Sequence, residues 1–303
     1  MRTRFIAAAL ALAASSLAAG SAHADEPKFV YGKQDDTKGK VIWKAAVNAG
    51  LVLNTGNANS VAFTAGGMAS MLDGKNKLQL DVIGTYARAT AISGVDANMN
   101  GAIDPGEVQH TTTTSAALWN VKLRYDRFLT ANNSLYATGF VGGNEPAGIR
   151  LAGGAQVGYS RQIVKTDMHL VVAEIGYDYT YQNNVTGPDL NIHSARVFAG
   201  YTLTLNANVG VLLGLEVLCN LNSLPGYTPG TTVDPFGNTR VNGAAALNAK
   251  IWKNIAFQVS FLARYTTDPA LLPAFKIPFA AGFFPRAESL DTVTSLSLVV
   301  TLL

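Results

Sequence analysis

Apolar and polar side chains alternate along most of this sequence, in runs longer than the strands of ordinary globular proteins. In residues 41–54 every odd position is apolar, whereas Lys44 and Asn48 occupy even positions. A period of two residues predicts a β-strand with one apolar and one polar face. The run lasts about 14 residues, against about five or six in a usual strand. The same pattern predicts twelve strands, near residues 41–54, 60–71, 77–92, 111–128, 134–143, 149–163, 168–182, 192–205, 208–221, 239–251, 255–266 and 291–303.

The connections between these predicted strands differ in length from one end to the other. Short segments follow the even-numbered strands, whereas the third, seventh, ninth and eleventh strands are followed by long ones, such as 93–110 and 220–238. Tight turns on one rim, long loops on the other and an even strand number are typical of outer-membrane barrels. A closed ring is required because lipid cannot satisfy open strand edges. The sequence therefore predicts an all-β fold, a transmembrane antiparallel β-barrel of about 12 strands, with short periplasmic turns and long extracellular loops. A secreted soluble β-barrel or β-sandwich that binds a ligand is the alternative.

The beginning of the chain has the features of a secretory signal peptide. Arg2 and Arg4 precede an apolar run rich in Ala and Leu, and residues 22–24 offer the small-x-small pattern of a cleavage site. We predict three regions: a signal peptide at 1–24, a short periplasmic segment at 25–40 and the barrel at 41–303. Export and a barrel together predict a location in the outer membrane of a Gram-negative bacterium.

Charge and cysteine usage exclude some classes of partner and cross-link. Charged residues make up 14% of the chain and the formal net charge is +3, so no basic excess points to nucleic acid. Cys219 is the single cysteine, which excludes an internal disulfide. The predicted partners are outer-membrane lipid, the barrel-assembly machinery that inserts such proteins, and small solutes or ions.

Aromatic side chains lie near predicted strand ends or on the apolar faces. They are Tyr125, Phe128, Phe140, Tyr159, Tyr177, Tyr179, Tyr181 and Tyr201. Aromatic belts at both membrane interfaces are expected of such a barrel, so we predict that these residues contribute to them. The alternative is that they are ordinary core aromatics.

Several stretches resemble a known protein family. They are "LNTGNANS" (53–60), "YDRFLT" (125–130), "RLAGGAQVGYSRQIVKTD" (150–167), "EIGYDYTY" (174–181) and "ESLDTVTSLSLVVTL" (288–302). The family is a domain-of-unknown-function family whose members are often labelled salt-induced outer-membrane proteins. The resemblance covers most of the predicted mature chain and implies an outer-membrane barrel, without any catalytic residue to carry over.

The loop "GVDANMNGAIDPGEV" (94–108) has the spacing of a calcium-binding loop of the EF-hand type. Loop positions 1, 3, 5, 7, 9 and 12 are Asp96, Asn98, Asn100, Ala102, Asp104 and Glu107, with Ala102 contributing its carbonyl oxygen. With Gly101 at position 6, this arrangement predicts a Ca²⁺ site. The donor set holds only three carboxylates, so we expect a weak affinity of about 10⁻⁴ to 10⁻³ M. The alternative is a turn-rich loop without an ion.

The polar faces of the predicted strands carry charged residues that we assign to the barrel lumen. They are Lys44, Asp81, Lys122, Arg124, Asp126, Arg150, Glu174, Asp178, Arg196, Glu216, Lys250 and Arg264. In a pore they would line water and bias the choice of ion. In a closed barrel they would form a packed ion-pair network. A ring of twelve strands lies between filled eight-stranded barrels and open porins of 16 to 18 strands, so size does not decide.

These features predict a barrel of unassigned activity that serves as a narrow or gated pore for ions or small solutes. A closed structural barrel and an outer-membrane lipid hydrolase are the alternatives. We predict that it is not an enzyme, because neighbours in a strand such as His193 and Ser194 face opposite sides and cannot pair. The apolar segment 269–285 is predicted to fold over or into the mouth of the barrel, or to enter the outer leaflet.

Overall fold

A computed structural model describes residues 40–54, 59–94, 99, 108–271 and 286–302. Within these ranges the barrel strands are β1 (Ile42–Asn54), β2 (Asn59–Asp73), β3 (Asn76–Gly94), β4 (Val108–Phe128), β5 (Asn133–Asn144), β6 (Ile149–Lys165), β7 (His169–Asn184), β8 (Leu190–Thr204), β9 (Val209–Asn220), β12 (Thr239–Lys250), β13 (Ile255–Thr266) and β14 (Leu290–Thr301). Two short strands, β10 (Leu224–Pro225) and β11 (Thr232–Val233), form a ribbon between β9 and β12, and a 3₁₀ turn spans Glu145–Ala147. The prediction of a transmembrane antiparallel barrel with twelve strands is confirmed.

The barrel closes between its first and last strands. Each strand pairs with its neighbour in the sequence, and β9 pairs with β12 because the β10–β11 ribbon lies outside the ring. β1 and β14 are antiparallel, with a register that runs from Ala46 opposite Thr301 to Ala49 opposite Leu298. Closure pairs the two edge strands with each other, which is the condition for burying a sheet in lipid.

The two ends of the barrel differ. One end, the short-turn rim, carries the connections at 74–75, 129–132, 166–168, 205–208 and 251–254. The opposite end, the long-loop rim, carries the described connections at 145–148, 185–189 and 221–238, together with 267–271 and 286–289. Among the described connections of the long-loop rim, 145–148 is as short as the turns of the opposite rim, whereas 221–238 is much longer.

Apolar side chains cover the outer face of the barrel. Val157, Ile175, Val197 and Leu215 are 50% to 63% exposed, and they occupy neighbouring strands. Such a band is unfavourable in water, where apolar surface costs roughly 25 cal/mol per Å², and is stable against hydrocarbon. In the described ranges no helix is long and apolar enough to span a membrane.

The inward side chains divide the lumen into two halves. Along β4–β9 they are mostly buried and include large residues such as Arg124, Tyr136 and Phe198. Along β12–β14, β1 and β2 they are mostly small and uncharged, and they are half-buried. This second surface, the small-residue wall, includes Ala46, Asn48, Ala62, Thr64, Ala244, Ala246, Ala256, Ser260, Ser295 and Ser297. Space is therefore left along one side of the interior and filled along the other.

Two glycines shape the filled half. Gly158 and Gly176 are cross-strand neighbours on β6 and β7, and both face inward. The Tyr136 hydroxyl occupies the gap that their missing side chains leave, since a Cβ at Gly158 would lie 2.7 Å from it. An aromatic ring over a glycine pair compensates for the packing that the glycines lack. Tyr136 is only 3% exposed as a result.

Two predicted members of the aromatic belts lie inside the barrel instead. Phe128 is 1% exposed and Phe140 is half-buried against a lumen cavity. The prediction for these two is wrong because even positions of β4 and β5 face inward, as Asp126 and Thr138 do. Tyr125 and Tyr177 lie on the outer face and are each 41% exposed.

The simple alternation of inward and outward residues also assigns Arg150 to the wrong face of its strand. The register between β6 and β7 shifts between Ile149 and Leu151, which marks a β-bulge. The extra residue places Arg150 and Leu151 on the outside, where Arg150 donates a hydrogen bond to Asn183 (3.1 Å). The assignment of Arg150 to the lumen is therefore wrong, because a bulge reverses the facing of the residues on one side of it.

Candidate functional site

Five charged side chains form one buried network on the inner faces of β4, β7, β8 and β9. Arg124 donates hydrogen bonds to Asp126 (2.7 Å) and Glu174 (2.7 Å), and Arg196 donates to Glu174 (2.8 Å) and Glu216 (2.6 Å). None of the five side chains is more than 9% exposed. Buried charges are tolerated when each has an opposite charge and hydrogen bonds, as here. The network fixes four strands to one another and fills that half of the lumen.

Uncharged groups complete the network. The Arg196 guanidinium donates to the Tyr136 hydroxyl (2.9 Å), and the Arg124 guanidinium lies 4.3 Å from the centre of the Tyr136 ring. Asn242 on β12 donates to Glu216 (3.0 Å). The cation–π contact and these hydrogen bonds hold the arginines in place. The side chains of this network are therefore held in fixed positions on that side of the lumen.

Asp178 forms a second polar cluster nearer the long-loop rim. It accepts hydrogen bonds from Gln156 (2.9 Å) and Thr180 (2.9 Å). Arg240 on β12 lies 3.4 Å from the same carboxylate and donates to the Ser194 hydroxyl (3.2 Å). Arg240 thus reaches over β9 and β8 to β7, at the boundary between the filled half and the open half of the lumen.

The structure places eleven of the twelve predicted lumen residues on inward-facing positions. The buried ones are Asp81, Arg124, Asp126, Glu174, Asp178, Arg196, Glu216 and Arg264. Lys122 is half-buried beside the cavity described below. Lys44 and Lys250 are exposed at the short-turn rim. Arg150 is the exception, on the outer face.

Loop residues form a roof over the mouth at the long-loop rim. An apolar cluster there joins the strand β8 to the β10–β11 ribbon and to the start of the last loop; its members are Leu190, Ile192, Leu224, Tyr227, Ala270 and Leu271. The Leu271 carbonyl oxygen lies too near Gly148 to admit a Cβ there. Gly148 belongs to the connection between β5 and β6, so the roof extends across the mouth from β13 to the opposite wall. Residues 269–271 thus fold into the mouth, while 272–285 lie outside the described residues.

A salt bridge and an aromatic ring hold the roof together. Arg286 donates to the Asp268 carboxylate (2.5 Å), and its guanidinium lies 5.5 Å from the centre of the Tyr227 ring. Burial raises the pKa of Tyr227 to about 12, and the nearby Asp268 carboxylate adds to this shift. Tyr227 is therefore a neutral phenol at physiological pH. We call the contact between Arg286 and Asp268 the latch.

A cavity of about 230 Å³ lies beneath the roof. The filled half contributes Lys122, Phe140, Ala152 and Asp178 to its lining, the roof contributes Tyr227, and β12 contributes Arg240 and Asn242. On the other side of the cavity, β13 contributes Arg264 and Thr266 to the lining.

The outer face near the long-loop rim carries a series of hydrogen-bonded tyrosines on β7. The hydroxyl of Tyr177 bonds to His193 Nδ1, and Tyr179 donates to Asn191 (2.8 Å). Tyr181 donates to Asp189 (2.8 Å), which lowers the pKa of Asp189. Apolar rings with polar ends suit the membrane interface. His193 therefore lies on the outer face, whereas its neighbour Ser194 is buried on the inner face beside Arg240, so the two side chains do not meet.

The predicted calcium ligands Asp96, Asn98, Asn100, Ala102, Asp104 and Glu107 lie outside the described residues. Strand β3 ends at Gly94 and β4 begins at Val108, so strands flank the loop. Among the residues that the structure describes, no group of three or more His, Cys, Asp or Glu side chains is arranged to hold a metal ion.

Comparison with known proteins identifies the family. Residues 47–301 match the family described as "Protein of unknown function, DUF481". The chain belongs to the DUF481 family. This description assigns no activity to DUF481 proteins, and the salt-induced label stays an expectation from the resemblance. No curated protein matches the chain.

Solved structures similar to this DUF481 chain are outer-membrane barrels. The NanC porin shares 10% identity, with a TM-score of 0.45, over 86% of this chain and 100% of its own. An outer membrane channel from Pseudomonas putida F1 shares 10% identity, with a TM-score of 0.46, over 92% and 100%. The outer membrane channel DcaP of Acinetobacter baumannii shares 9% identity, with a TM-score of 0.36, over 90% and 100%. Each of these is a similarity in fold only.

Sequence reasoning predicted that segment 269–285 folds over or into the mouth, which 269–271 does, but it did not identify the other residues of the roof and its supports. Tyr136 lies in the predicted strand 134–143 but was not assigned a role, Tyr227 lies in a loop, and Asn220 lies at the end of β9. The Asn220 side chain donates to the carbonyl oxygens of Asn222 and Asp234 and accepts from the Asn238 amide. A fully buried asparagine beside a long loop is a sign that the loop is ordered, but burial is not visible in the sequence.

Proposed function

We propose that this DUF481 protein is a gated passage for small hydrophilic solutes across the outer membrane of a Gram-negative bacterium. It acts without catalysis, and the roof at the long-loop rim is its gate. In this proposal, the closed state is the one in which the roof covers the mouth. The fixed charge network forms one side of the passage and the small-residue wall forms the other.

The observation that carries the proposal is the small-residue wall. Five adjacent strands, from β12 to β2, present side chains such as Ala246, Ser260 and Asn48 to the lumen, and these are half-buried where the opposite wall is buried. A barrel with a purely structural interior would be filled from both sides with side chains at close packing. In this proposal, the space along the small-residue wall continues from the cavity under the roof to the short-turn rim.

The charges along this path predict weak ion preference. The central carboxylates of Glu174 and Glu216 are neutralised by the arginines of the network, so they contribute little field to the passage. Lys44 and Lys250 stand exposed at the short-turn rim. We expect a modest preference for anions, set mainly at that rim.

Planar-bilayer recording of the refolded protein tests the proposal. The wild type should show rare, small openings, because the roof closes the mouth. A variant with residues 270–285 replaced by a short Gly–Ser linker should conduct continuously. Heat-modified migration in electrophoresis serves as the folding control for both proteins. A folded variant that stays silent would contradict the passage.

A closed structural barrel is the second candidate, and the charge network favours it. Five buried charged side chains that join β4 to β9 would stabilise a barrel that conducts nothing. The same recording separates the two functions. Silence of both the wild type and the roof-replaced variant is the result expected for a structural barrel.

The proposed location requires export and insertion. We assign residues 1–24 to the signal peptide, so the amino terminus of the mature protein should begin at Asp25. Insertion would use the barrel-assembly machinery, and lipid would surround the outward apolar band. Mass spectrometry of the protein purified from outer membranes tests the cleavage site.

The calcium loop is a separate proposal that rests on sequence spacing alone. Ca²⁺ held by Asp96, Asp104, Glu107 and the other three predicted ligands would order an exposed loop next to the mouth. Calorimetric titration with Ca²⁺ should give a dissociation constant of about 10⁻⁴ to 10⁻³ M for the wild type. Glu107→Ala should abolish the heat, whereas Glu145→Ala, outside the loop, should retain it. Equal heats for wild type and Glu107→Ala would reject the site.

A further inference from the structure

Three residues that line the cavity under the roof carry a buried polar atom that the fold does not satisfy. In the described part of the chain, Asn238 Oδ1, Arg240 Nε and Asp268 Oδ2 are buried without a hydrogen-bond partner. Asn238 is 4% exposed and Asp268 is 8% exposed. All three residues line the cavity. Buried polar atoms are normally paired, so a group of unpaired ones in a cavity indicates a ligand or water.

Strand register shows that these three residues form one patch. Arg240 lies opposite Thr266 on β13, and the pairing continues one step further, where the Thr267 amide donates to the Thr239 carbonyl (3.1 Å). Asn238 lies two residues before Arg240, and Asp268 lies two residues after Thr266. Both therefore face the same side as Arg240. The three residues therefore occupy neighbouring positions at the end of the β12–β13 pair.

The combination of atoms selects the chemistry of the ligand. Arg240 Nε is a donor, whereas Asn238 Oδ1 and Asp268 Oδ2 are acceptors. A hydroxyl group both donates and accepts, so a molecule with several hydroxyls can satisfy all three. A carboxylate only accepts and would face the Asp268 carboxylate. An ammonium group only donates and would leave Arg240 Nε unsatisfied.

The rest of the lining suits the carbon skeleton of such a molecule. Phe140, Tyr227, Ile149, Ile192 and Leu218 present apolar surface to the cavity. Specific small-molecule sites combine an apolar lining with a few placed polar groups. The volume of about 230 Å³ is below the roughly 300–1,000 Å³ of sites for drug-sized ligands. The ligand is therefore of monosaccharide size.

We propose that this cavity binds a small neutral polyol of monosaccharide size, held by Asn238, Arg240 and Asp268 beneath the closed roof. The inference rests on the proposed function, for which it names the solute class. A solute that enters from the short-turn rim would stop at this patch until the roof opens. Asp268 also carries the latch, through its other oxygen, so the binding patch and the gate share a residue.

Saturation-transfer NMR on the refolded barrel tests the proposal, in a detergent without a sugar headgroup. The probes are glucose, sorbitol and acetate. Glucose and sorbitol should receive saturation and acetate should not. Asn238→Ala removes one acceptor without disturbing any other described side-chain bond, so glucose should bind about threefold to tenfold more weakly.

A matched pair of phenylalanine variants locates the site. Ala152 lines the cavity, whereas Ala155 lies on the lipid-facing side of the same strand. Ala152→Phe should abolish the glucose signal and Ala155→Phe should leave it unchanged. No signal from glucose or sorbitol, a stronger signal from acetate, or an unchanged signal in Ala152→Phe would overturn the proposal; the first of these means that water alone fills the cavity.

A barrel that conducts without binding glucose refutes the site only, whereas one that binds glucose without conducting refutes the passage only.

Discussion

Asp268 and Arg286 join the two described ends of the last loop by a salt bridge of 2.5 Å. Near the start of the intervening chain, Ala270 and Leu271 belong to the apolar cluster of the roof. The two described ends also pair through the backbone, since Leu271 and Arg286 form a β-bridge and the Ala287 amide donates to the Ala270 carbonyl oxygen (2.9 Å). The latch is partly exposed, with 39% of the Arg286 side chain accessible, so its contribution is modest.

Removing the latch should raise the open probability of the passage. Arg286→Ala loses the bond to Asp268 and the contact with Tyr227, so openings in a planar bilayer should become about twofold to fivefold more frequent. Arg161→Ala, at an exposed position on β6, is the control and should behave as wild type. Equal open probabilities for wild type and Arg286→Ala would show that the salt bridge does not hold the roof.

Glu174 should be the most sensitive member of the charge network, because it accepts from both Arg124 and Arg196. Glu174→Gln leaves two buried guanidinium groups without a shared counter-charge, which should destabilise the barrel by about 3–5 kcal/mol. Urea unfolding in lipid vesicles measures this. Glu145→Gln, at an exposed position in the 3₁₀ turn, should change the free energy of unfolding by less than about 0.5 kcal/mol. A small effect for Glu174→Gln would mean that the network contributes little to stability.

The glycine pair under Tyr136 predicts a steric effect. In Gly176→Ala the new methyl group would meet the Tyr136 hydroxyl and the Val157 carbonyl oxygen, which should cost about 1–3 kcal/mol. Gly139→Ala is the matched control, because no atom lies within 4 Å of its added Cβ. Unfolding of both variants in the same vesicles should separate them. Similar stabilities would contradict the close packing of Tyr136.

Outward and inward positions of the strands should differ in how well they tolerate a charged side chain. Leu215 on β9 is 50% exposed on the outer face, so Leu215→Arg should cost about 2–4 kcal/mol in a bilayer. Ala246 on β12 faces the lumen, where a charged side chain can remain hydrated. Ala246→Arg should keep near wild-type stability and change the conductance. The reverse order of stabilities would mean that inside and outside have been exchanged.

Much of the fold is predictable from the sequence because lipid imposes a strict rule on each strand. The alternation near residues 255–266 predicts β13 with the same bounds that the structure shows. The rule fails where a bulge interrupts it, as at Arg150, or where a large residue such as Phe128 occupies an inward position. The site is less predictable because the roof depends on contacts between distant loops. The pairing of Asp268 with Arg286, and the register that brings Asn238 beside Asp268, arise only when the barrel has closed.

The central claim is that β13 faces hydrocarbon on one side and an aqueous lumen on the other. It is tested most directly by spin labels at consecutive positions 256–262, in a Cys219→Ser background, in lipid vesicles. Labels at Phe257, Val259 and Phe261 should collide with oxygen. Labels at Gln258 and Ser260 should collide with a water-soluble nickel chelate, in the opposite phase. Labels at 258 and 260 that collide with neither relaxant would show a filled, dry interior, and the absence of a two-residue period would contradict the barrel in the membrane.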